Sequence, residues 1–250
     1  MKLHEIVEFL DDFLKVKEWQ DKSNNGLQIE GKEDVNKVAF AVDACMDVFR
    51  KAKEIGADII VVHHGLIWGG IDYVKGVVKR RLEFLLKNDI SLYAAHLPLD
   101  AHPSVGNNAQ ILKALDLEPT ESFGVYQGKE IGYIGVYDES KPLDYVLEMV
   151  REKINPSLTV LNFGDKDVRR VGVVSGRGSF ALSEAVERNV DLFITGEQDH
   201  STYHLAKESG INVVFAGHYA TETFGVKALM RVVGGEFEVD VEFIDVPTGL

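Results

Sequence analysis

The chain has 250 residues and a formal net charge of −13 at pH 7, and 45% of its residues are hydrophobic. This composition provides a large core and excludes a disordered protein. The negative charge disfavours binding of the whole surface to nucleic acid or to anionic lipid, because each of these is a polyanion. The length accommodates one large domain or two of medium size.

The N-terminal segment and the single cysteine predict a cytoplasmic protein with no membrane partner. Glu8, Asp11 and Asp12 interrupt the region where a signal peptide needs an apolar stretch, and no apolar run reaches the roughly 18 residues of a membrane span. Cys45 alone forms neither an internal disulfide nor a thiolate zinc site. Any metal site is therefore expected to use imidazole and carboxylate ligands.

The first half of the chain alternates helical and strand-like segments. Apolar residues at three- and four-residue spacings predict a helix over His4–Leu14. The segments that follow are predicted as a strand at Val38–Val42, a helix at Val48–Ile55, a strand at Ile59–Val62, a helix at Arg81–Lys87, a strand at Ser91–Ala95 and a helix at Asn108–Leu115. This order is typical of a parallel or mixed sheet with helices on both faces.

A second series begins at Gly132. Its predicted strands are Tyr133–Val136, Val171–Ser175, Leu192–Thr195, Val213–Ala216 and Phe237–Val246. Its predicted helices are Leu143–Lys153, Ala181–Arg188, Thr202–Glu208 and Glu222–Val232. We therefore predict an α/β protein with two similar α/β/α layered domains and mixed sheets, one over residues 1–122 and one over 123–250, with residues 220–250 available to return to the first.

Polar residues directly after the predicted strands are the candidates for function, because ligands bind at the carboxyl ends of parallel strands. His63 and His64 follow one strand, and His96 and Asp100 follow the next. Two alternatives stay open at this point. A His-His pair alone is typical of a protein surface, and Asp100 would serve equally well as the cap of a helix that begins near Asn107.

The two later strands are also followed by chemically active residues. Glu197 and His200 come after Leu192–Thr195, and His218 comes after Val213–Ala216. His218 and Glu222 are four residues apart, so on a first helical turn they share one face. The alternative is structural, with Thr221 as the N-cap and Glu222 stabilising the helix dipole.

Combined, these residues predict a site for two divalent metal ions. The proposed ligands offer three imidazoles, two carboxylates and no thiolate, and they are His63, His64, Asp100, His218 and Glu222. Such a set suits ions of the Zn, Fe, Mn or Co type, and a bridged pair of them supports hydrolysis. His96 and Glu197 are predicted as general acid or base, and His200 and Tyr219 as substrate contacts.

Other motifs are weaker. Lys75, Lys79, Arg80 and Arg81 form the densest basic cluster, which is more typical of a solvated helix face than of a nucleic-acid site. No Gly-x-Gly-x-x-Gly follows a strand and no Walker-type Gly-Lys-Ser or Gly-Lys-Thr occurs, so neither a dinucleotide fold nor a P-loop is supported. The amides of Gly176–Ser179 could receive a phosphate, although a tight turn is the commoner reason for such glycines.

The sequence resembles the NIF3-like family, also called GTP cyclohydrolase I type 2 homologues. The matching blocks span nearly the whole chain, and they are Ser23–Gln28, Ala41–Ala44, Val62–Gly65, His96–Pro103, Gly106–Ala109, Thr195–Glu197 and Gly217–Glu222. Several separate blocks in the right order are far more specific than any one of them. Tyr219 departs from the family pattern, in which a second histidine often follows His218.

The resemblance implies that the same five residues bind a dinuclear metal centre in the cleft between two α/β domains. It also implies a ring-shaped homohexamer, a trimer of dimers, with the metal sites facing an interior cavity. Two hypotheses for function follow. The first is a metal-dependent hydrolase acting on a nucleotide or related heterocycle. The second is a nucleic-acid-binding or scaffold ring whose cavity is lined by the Lys75–Arg81 cluster together with Arg169 and Arg170.

Overall fold

Two separate mixed β-sheets organise the chain in a computed structural model, which describes residues 1–250. The strands are β1 (Gly26–Ile29), β2 (Lys37–Asp43), β3 (Ile59–His64), β4 (Ser91–Ala94), β5 (Pro119–Tyr126), β6 (Lys129–Pro142), β7 (Thr159–Asn162), β8 (Asp167–Val174), β9 (Leu192–Thr195), β10 (Asn212–Phe215) and β11 (Asp240–Phe243). The helices are α1 (Leu3–Leu14), α2 (Met46–Glu54), α3 (Gly76–Lys87), α4 (Leu97–Asp100), α5 (Asn107–Ala114), α6 (Leu143–Lys153), α7 (Leu182–Glu187), α8 (Thr202–Ser209) and α9 (His218–Glu236). The predicted α/β class with mixed sheets is confirmed.

The chain divides into two units. The first comprises Met1–Leu99 and Val226–Val246, and the second comprises Asp100–Gly225 and Pro247–Leu250. The break after Leu99 comes earlier in the chain than residue 122, because helix α5 packs against strands β6 and β8 of the second unit. Within the predicted returning segment, it is Val226–Val246 that joins the first unit.

The first unit has a five-stranded sheet in the order β1-β4-β3-β2-β11. Strands β11, β2, β3 and β4 run parallel to one another, and β1 pairs antiparallel with β4 at one edge. The central strand β3 is buried along nearly its whole length, as expected of a parallel strand covered on both faces. Ile60 and Val62 of β3 join a core that includes Phe49 and Leu85.

The second unit has a six-stranded sheet in the order β5-β6-β8-β9-β10-β7. The three strands β8, β9 and β10 are parallel, whereas β5, β6 and β7 pair antiparallel with their neighbours. Helices α5 and α6 contribute Ile111, Leu112, Val146 and Val150 to the core on this sheet. No helix in the structure combines the length and the apolar character that a bilayer-spanning helix needs.

The strands that the sequence did not predict share one property. Strands β1, β5 and β7 all lie at a sheet edge and pair antiparallel with a single neighbour. An edge strand is partly solvated, so it lacks the continuous apolar run that marks β3 or β9. The predicted terminal strand Phe237–Val246 shortens for the same reason to β11, an edge strand whose exposed and half-buried residues alternate.

In each unit, an aspartate accepts hydrogen bonds from backbone N–H groups near the start of a neighbouring parallel strand. In the first unit Asp58 Oδ2 accepts hydrogen bonds from the backbone N–H groups of Asn36 and Lys37, at 2.6 and 3.1 Å. In the second unit Asp191 Oδ2 accepts them from Arg169 and Arg170, at 2.9 and 2.7 Å. Asp58 directly precedes β3, the middle strand of β2-β3-β4, and Asp191 directly precedes β9, the middle strand of β8-β9-β10. Both sets of parallel strands therefore begin with the same hydrogen-bonded arrangement.

Substitution of the buried Asp58 tests how much this hydrogen-bonded arrangement contributes to stability. Asp58→Asn removes one charge, the ion pair with Lys32 Nζ at 2.5 Å, and part of the acceptor capacity for two backbone donors. We expect it to lower the free energy of unfolding by about 1–3 kcal/mol at neutral pH, measured by urea denaturation. The exposed Asp12→Asn is the matched control and is expected to leave the free energy of unfolding nearly unchanged.

The same variant predicts a pH dependence. Burial alone would raise the pKa of Asp58, but the hydrogen bonds from Lys32 and the two backbone groups hold this pKa below its ordinary value of 3.8. A carboxyl with a lowered folded pKa stabilises the protein above its unfolded pKa and loses that effect as the pH falls through the folded pKa. The difference between parent and Asp58→Asn should therefore shrink below pH 3.8. A difference that stayed constant through acid would contradict this assignment.

Candidate functional site

Three histidines meet in the first unit at the carboxyl ends of β3 and β4. His63 and His64 end β3, and His96 follows β4, whose register pairs Ala94 with Val62. Because both strands run in the same direction, the residues just beyond this pair leave the sheet at the same edge. We call His63, His64 and His96 the histidine cluster; one ring nitrogen from each lies within 4.8 Å of the others.

Each ring of the histidine cluster is hydrogen-bonded through Nδ1 to an oxygen. His63 Nδ1 lies 2.9 Å from the carbonyl of Ala95, and His64 Nδ1 lies 2.8 Å from Asp43 Oδ1. His96 Nδ1 lies 3.0 and 3.1 Å from the two carboxylate oxygens of Asp21. Carbonyl and carboxylate oxygens only accept hydrogen bonds, so Nδ1 carries the proton in each of these bonds.

The acceptors have structural reasons for their positions. Asp43 ends β2 and is the register partner of His64 in the neighbouring strand. Asp21 lies in the loop before β1 and also accepts hydrogen bonds from Asn25 Nδ2 and the Leu97 amide. Burial alone would raise the pKa of Asp21, but its hydrogen bond and charge interaction with His96, together with the bond from Asn25, lower this pKa to about 2. Asp21 is therefore an anion at neutral pH.

The first turn of α9 supplies the corresponding residues of the second unit. His218 Nε2 lies 3.1 Å from Glu222 Oε2, as their four-residue spacing requires. His218 Nδ1 lies 2.7 Å from Glu197 Oε1, so this ring too has its Nδ1 held by a carboxylate. Glu222 is 3% exposed. A buried carboxylate and an imidazole with the same orientation as those of the histidine cluster thus stand side by side.

Asp100 lies in a buried polar network of the same unit. Its Oδ1 accepts hydrogen bonds from Asn107 Nδ2 at 2.9 Å and from Ser175 Oγ at 3.1 Å. Ser175 is followed by Gly176, whose backbone approaches Glu222 so closely that a β-carbon there would overlap Glu222 Oε1. Asp100 and Glu222 therefore flank the Ser175–Gly176 segment.

The structure decides three of the alternatives that the sequence left open. Helix α9 begins at His218, so Thr221 is not its N-cap; the Thr221 hydroxyl instead donates to the carbonyls of Gly217 and His218 and accepts from the Gly176 amide. The N-cap of α5 is Gly106, so Asp100 does not cap that helix. The amides of Gly176 and Gly178 donate to Thr221 and Thr195, which leaves them occupied rather than open to a phosphate.

The remaining predicted residues lie in varied surroundings. His200 is exposed in the loop before α8, whereas Tyr219 is buried in the first turn of α9. Lys75, Lys79 and Arg80 are exposed at the start of α3, and Arg81 is half-buried. Arg170 is paired with Glu121 at 3.0 Å, and Arg169 Nε donates to the carbonyl of Tyr137. Roles for these residues stay predictions.

Of the residues that hold the candidate ligands, sequence reasoning placed only Glu197 in the site, and it did so with a different role. Asp21 and Asn107 were absent from the predicted site, although Asn107 lies in a block that carries the family resemblance. Asp43 had the one usable signal, since it ends a buried strand in the same way as His63 and His64. Asp21 had none, because a lone acid in a polar loop has no periodicity.

Comparison with known proteins identifies the family. The model of the Duf34/NIF3 (NGG1p interacting factor 3) family matches residues 1–249. The chain belongs to the Duf34/NIF3 family. The resemblance drawn from the sequence is thereby confirmed.

Members of the Duf34/NIF3 family match this chain from end to end. A protein of Archaeoglobus fulgidus named GTP cyclohydrolase 1 type 2 homolog is 56% identical, and one of the same name from Pyrococcus abyssi is 53% identical, each over 100% of both chains. A crystal structure of a protein from Thermus thermophilus superposes with a TM-score of 0.90 at 42% identity, again over 100% of both chains.

The donor set fits divalent ions of the Zn, Fe, Mn or Co type. In the three imidazoles of the proposed ligand set, Nδ1 is bonded to a carbonyl or carboxylate oxygen, which is the usual arrangement of metal-binding imidazoles. Asp100 and Glu222 add two buried carboxylates. Mg²⁺ and Ca²⁺ prefer sites made of oxygen alone, so this set does not suit them.

Gly176 gives a test of the Glu222 position. Gly176→Ala would place a β-carbon against Glu222 Oε1 and 3.2 Å from His218 Nε2, and we expect it to lower Co²⁺ affinity about tenfold or more, measured by equilibrium dialysis. Gly128→Ala is the matched control, because Gly128 also has a positive φ, of 83°, but has no atom within 4 Å of an added β-carbon. Equal Co²⁺ affinity in the two variants would contradict a ligand role for this part of α9.

Proposed function

We propose that this protein is a dinuclear metal-dependent hydrolase that acts on a nucleotide or a related heterocycle. In this proposal His63, His64, Asp100, His218 and Glu222 hold two divalent ions. The observation that carries it is the shared orientation of three imidazoles, because His63, His64 and His218 each have Nδ1 bonded to a carbonyl or carboxylate oxygen, as metal-binding histidines usually do. Ions of this type supply Lewis-acid polarisation of an electrophilic carbon or phosphorus centre.

His96 is the proposed acid–base residue. Its Nδ1 is bonded to both oxygens of Asp21, which fixes the orientation of the ring. His96 would therefore take up or deliver a proton at Nε2, while Asp21 holds the ring in place without changing its own charge. This division of roles follows the logic of a carboxylate–imidazole pair in other hydrolytic sites.

Glu197 has a different proposed role from the one its sequence position suggested. Its Oε1 holds His218 Nδ1 at 2.7 Å, which favours positioning of that ring over proton transfer. Arg177, whose Nε lies 3.7 Å from Glu197 Oε2, presents an exposed guanidinium suited to an anionic group of the substrate. His200 and Tyr219 remain proposed substrate contacts, with His200 the more accessible of the two.

The relatives' names guide the choice of substrates. Because those proteins are named GTP cyclohydrolase 1 type 2 homologs, guanine nucleotides are the first compounds to test. The homohexamer and a cytoplasmic location belong to this proposal in the same way, as properties implied by the family resemblance. The alternative, a nucleic-acid-binding ring with structural metals, has exposed Lys75, Lys79 and Arg80 in its favour.

Removing two candidate ligands tests the proposal. We expect the double variant His63→Ala, His64→Ala to lose its bound metal and its turnover of guanine nucleotides together, each by a factor of about ten or more. Metal content is measured by elemental analysis and turnover by chromatography of the nucleotide pool. His4→Ala, His204→Ala is the matched control, since it removes two exposed histidines and should change neither quantity.

Two outcomes would contradict the proposal. One is full metal content in the His63→Ala, His64→Ala variant, which would remove these residues from the site. The other is a metal-loaded parent that turns over no nucleotide but binds DNA with an affinity that falls steeply with salt and is reduced by Arg80→Ala with Arg81→Ala. That second result would support the nucleic-acid-binding alternative.

A further inference from the structure

An exposed indole lies against the histidine cluster. The ring centroid of Trp68 is 5.0 Å from that of His96, at an interplanar angle of 70°, and 6.2 Å from that of His64. Trp68 is nevertheless 43% exposed. Four residues after His64, the chain thus places a large flat π-surface beside the imidazoles and leaves part of it open to solvent.

The position of this indole is fixed by hydrogen bonds. Trp68 Nε1 donates to the carbonyl of Gly65 at 2.9 Å, so the only polar atom of the side chain is already used within the protein. Gln28 Oε1 accepts from the amides of Leu66 and Ile67, and Asn24 Oδ1 accepts from the Gly69 amide. The indole therefore contacts a ligand through its ring face, by stacking.

A buried hydroxyl lies across from Trp68. Ser23 forms an isolated antiparallel bridge with Trp68, and directly opposed residues in such a pair project their side chains to the same side. Ser23 is 4% exposed, and its Oγ has no hydrogen-bond partner in the protein. A buried polar atom without a partner is costly, and a site that binds a polar ligand is one setting in which it is retained.

We propose that Trp68 and Ser23 form a recognition subsite for the planar ring of a heterocyclic ligand. The ring stacks on the exposed indole, and a polar atom at its edge bonds to Ser23 Oγ. The identity of the ligand as a substrate rests on the proposed hydrolase function, but the subsite itself is defined by binding alone. Trp68 is a specificity residue in this account, selecting a flat aromatic ring over a sugar phosphate.

The fluorescence of Trp68 reports directly on ligand binding at this subsite. It has two tryptophans, Trp19 and Trp68, so Trp19→Phe leaves Trp68 as the single indole fluorophore. In this variant, guanosine 5′-monophosphate should quench the fluorescence with a saturable curve. Ribose 5-phosphate, which has the sugar and phosphate but no ring, should not. Equal quenching by the two compounds would overturn the proposal.

Affinity measurements on the protein as purified test the role of the indole. By calorimetry we expect Trp68→Ala to weaken binding of guanosine 5′-monophosphate about tenfold, with Trp68→Phe keeping most of the affinity because a flat ring remains. Tyr73→Ala, which removes a more exposed aromatic of the same segment, is the control and should bind as the parent does. Unchanged affinity in Trp68→Ala would overturn the role of the indole.

Ser23→Ala distinguishes a ligand contact from a folding role. Because the hydroxyl has no partner in the protein, this variant should keep or raise the melting temperature while it weakens guanosine 5′-monophosphate binding several-fold. A lower melting temperature with unchanged binding would overturn the assignment of Ser23. Ring binding through Trp68 without any turnover would contradict the hydrolase proposal but support the subsite. Turnover with unchanged affinity in Trp68→Ala would support the hydrolase proposal but contradict the subsite.

Discussion

The hydrogen bond at Nδ1 of each site histidine is the interaction on which the functional account depends. A neutral imidazole has one donor and one acceptor nitrogen, and an oxygen at Nδ1 determines which is which. The oxygens come from Ala95, Asp43, Asp21 and Glu197. Three of them are carboxylates, and each of the four oxygens fixes the orientation of the ring that it contacts.

These hydrogen bonds follow from how each sheet is built. In both units an aspartate accepts hydrogen bonds from backbone N–H groups near the amino end of a parallel strand. This residue is Asp58 in the first unit and Asp191 in the second. Because these strands are parallel, their carboxyl ends lie at one edge of the sheet, where the residues that follow emerge. The first unit uses these positions for three imidazoles, and the second uses them for Glu197 and His218.

The sequence predicted the buried parts of the fold well, because continuous apolar runs mark parallel strands such as Leu192–Thr195, whose bounds are those observed. It predicted the edge strands poorly, since Gly26–Ile29 and Thr159–Asn162 face solvent in part and carry no such run. Helix α9 was predicted to begin at Glu222 rather than His218, because Gly217 and a polar first turn resemble a loop.

The same reasoning found side chains with metal-binding chemistry but not the groups that orient them. A histidine after an apolar strand is visible in the sequence, whereas the contact of His96 with Asp21 joins residues 75 positions apart and depends on the folded loop. Ser23 lies in a block that carries the family resemblance, but no sequence pattern marks its hydroxyl or the indole of Trp68 as a ligand contact. Their significance comes from burial, exposure and pairing, which only the folded chain has.

The most direct test of the central claim is the metal–metal distance in the purified protein, measured by X-ray absorption spectroscopy together with the metal content per chain. The account predicts two ions per chain, nitrogen and oxygen ligands without sulfur, and metal–metal scattering at about 3.5–4 Å. A single ion per chain, or two ions with no metal–metal scattering, would contradict it.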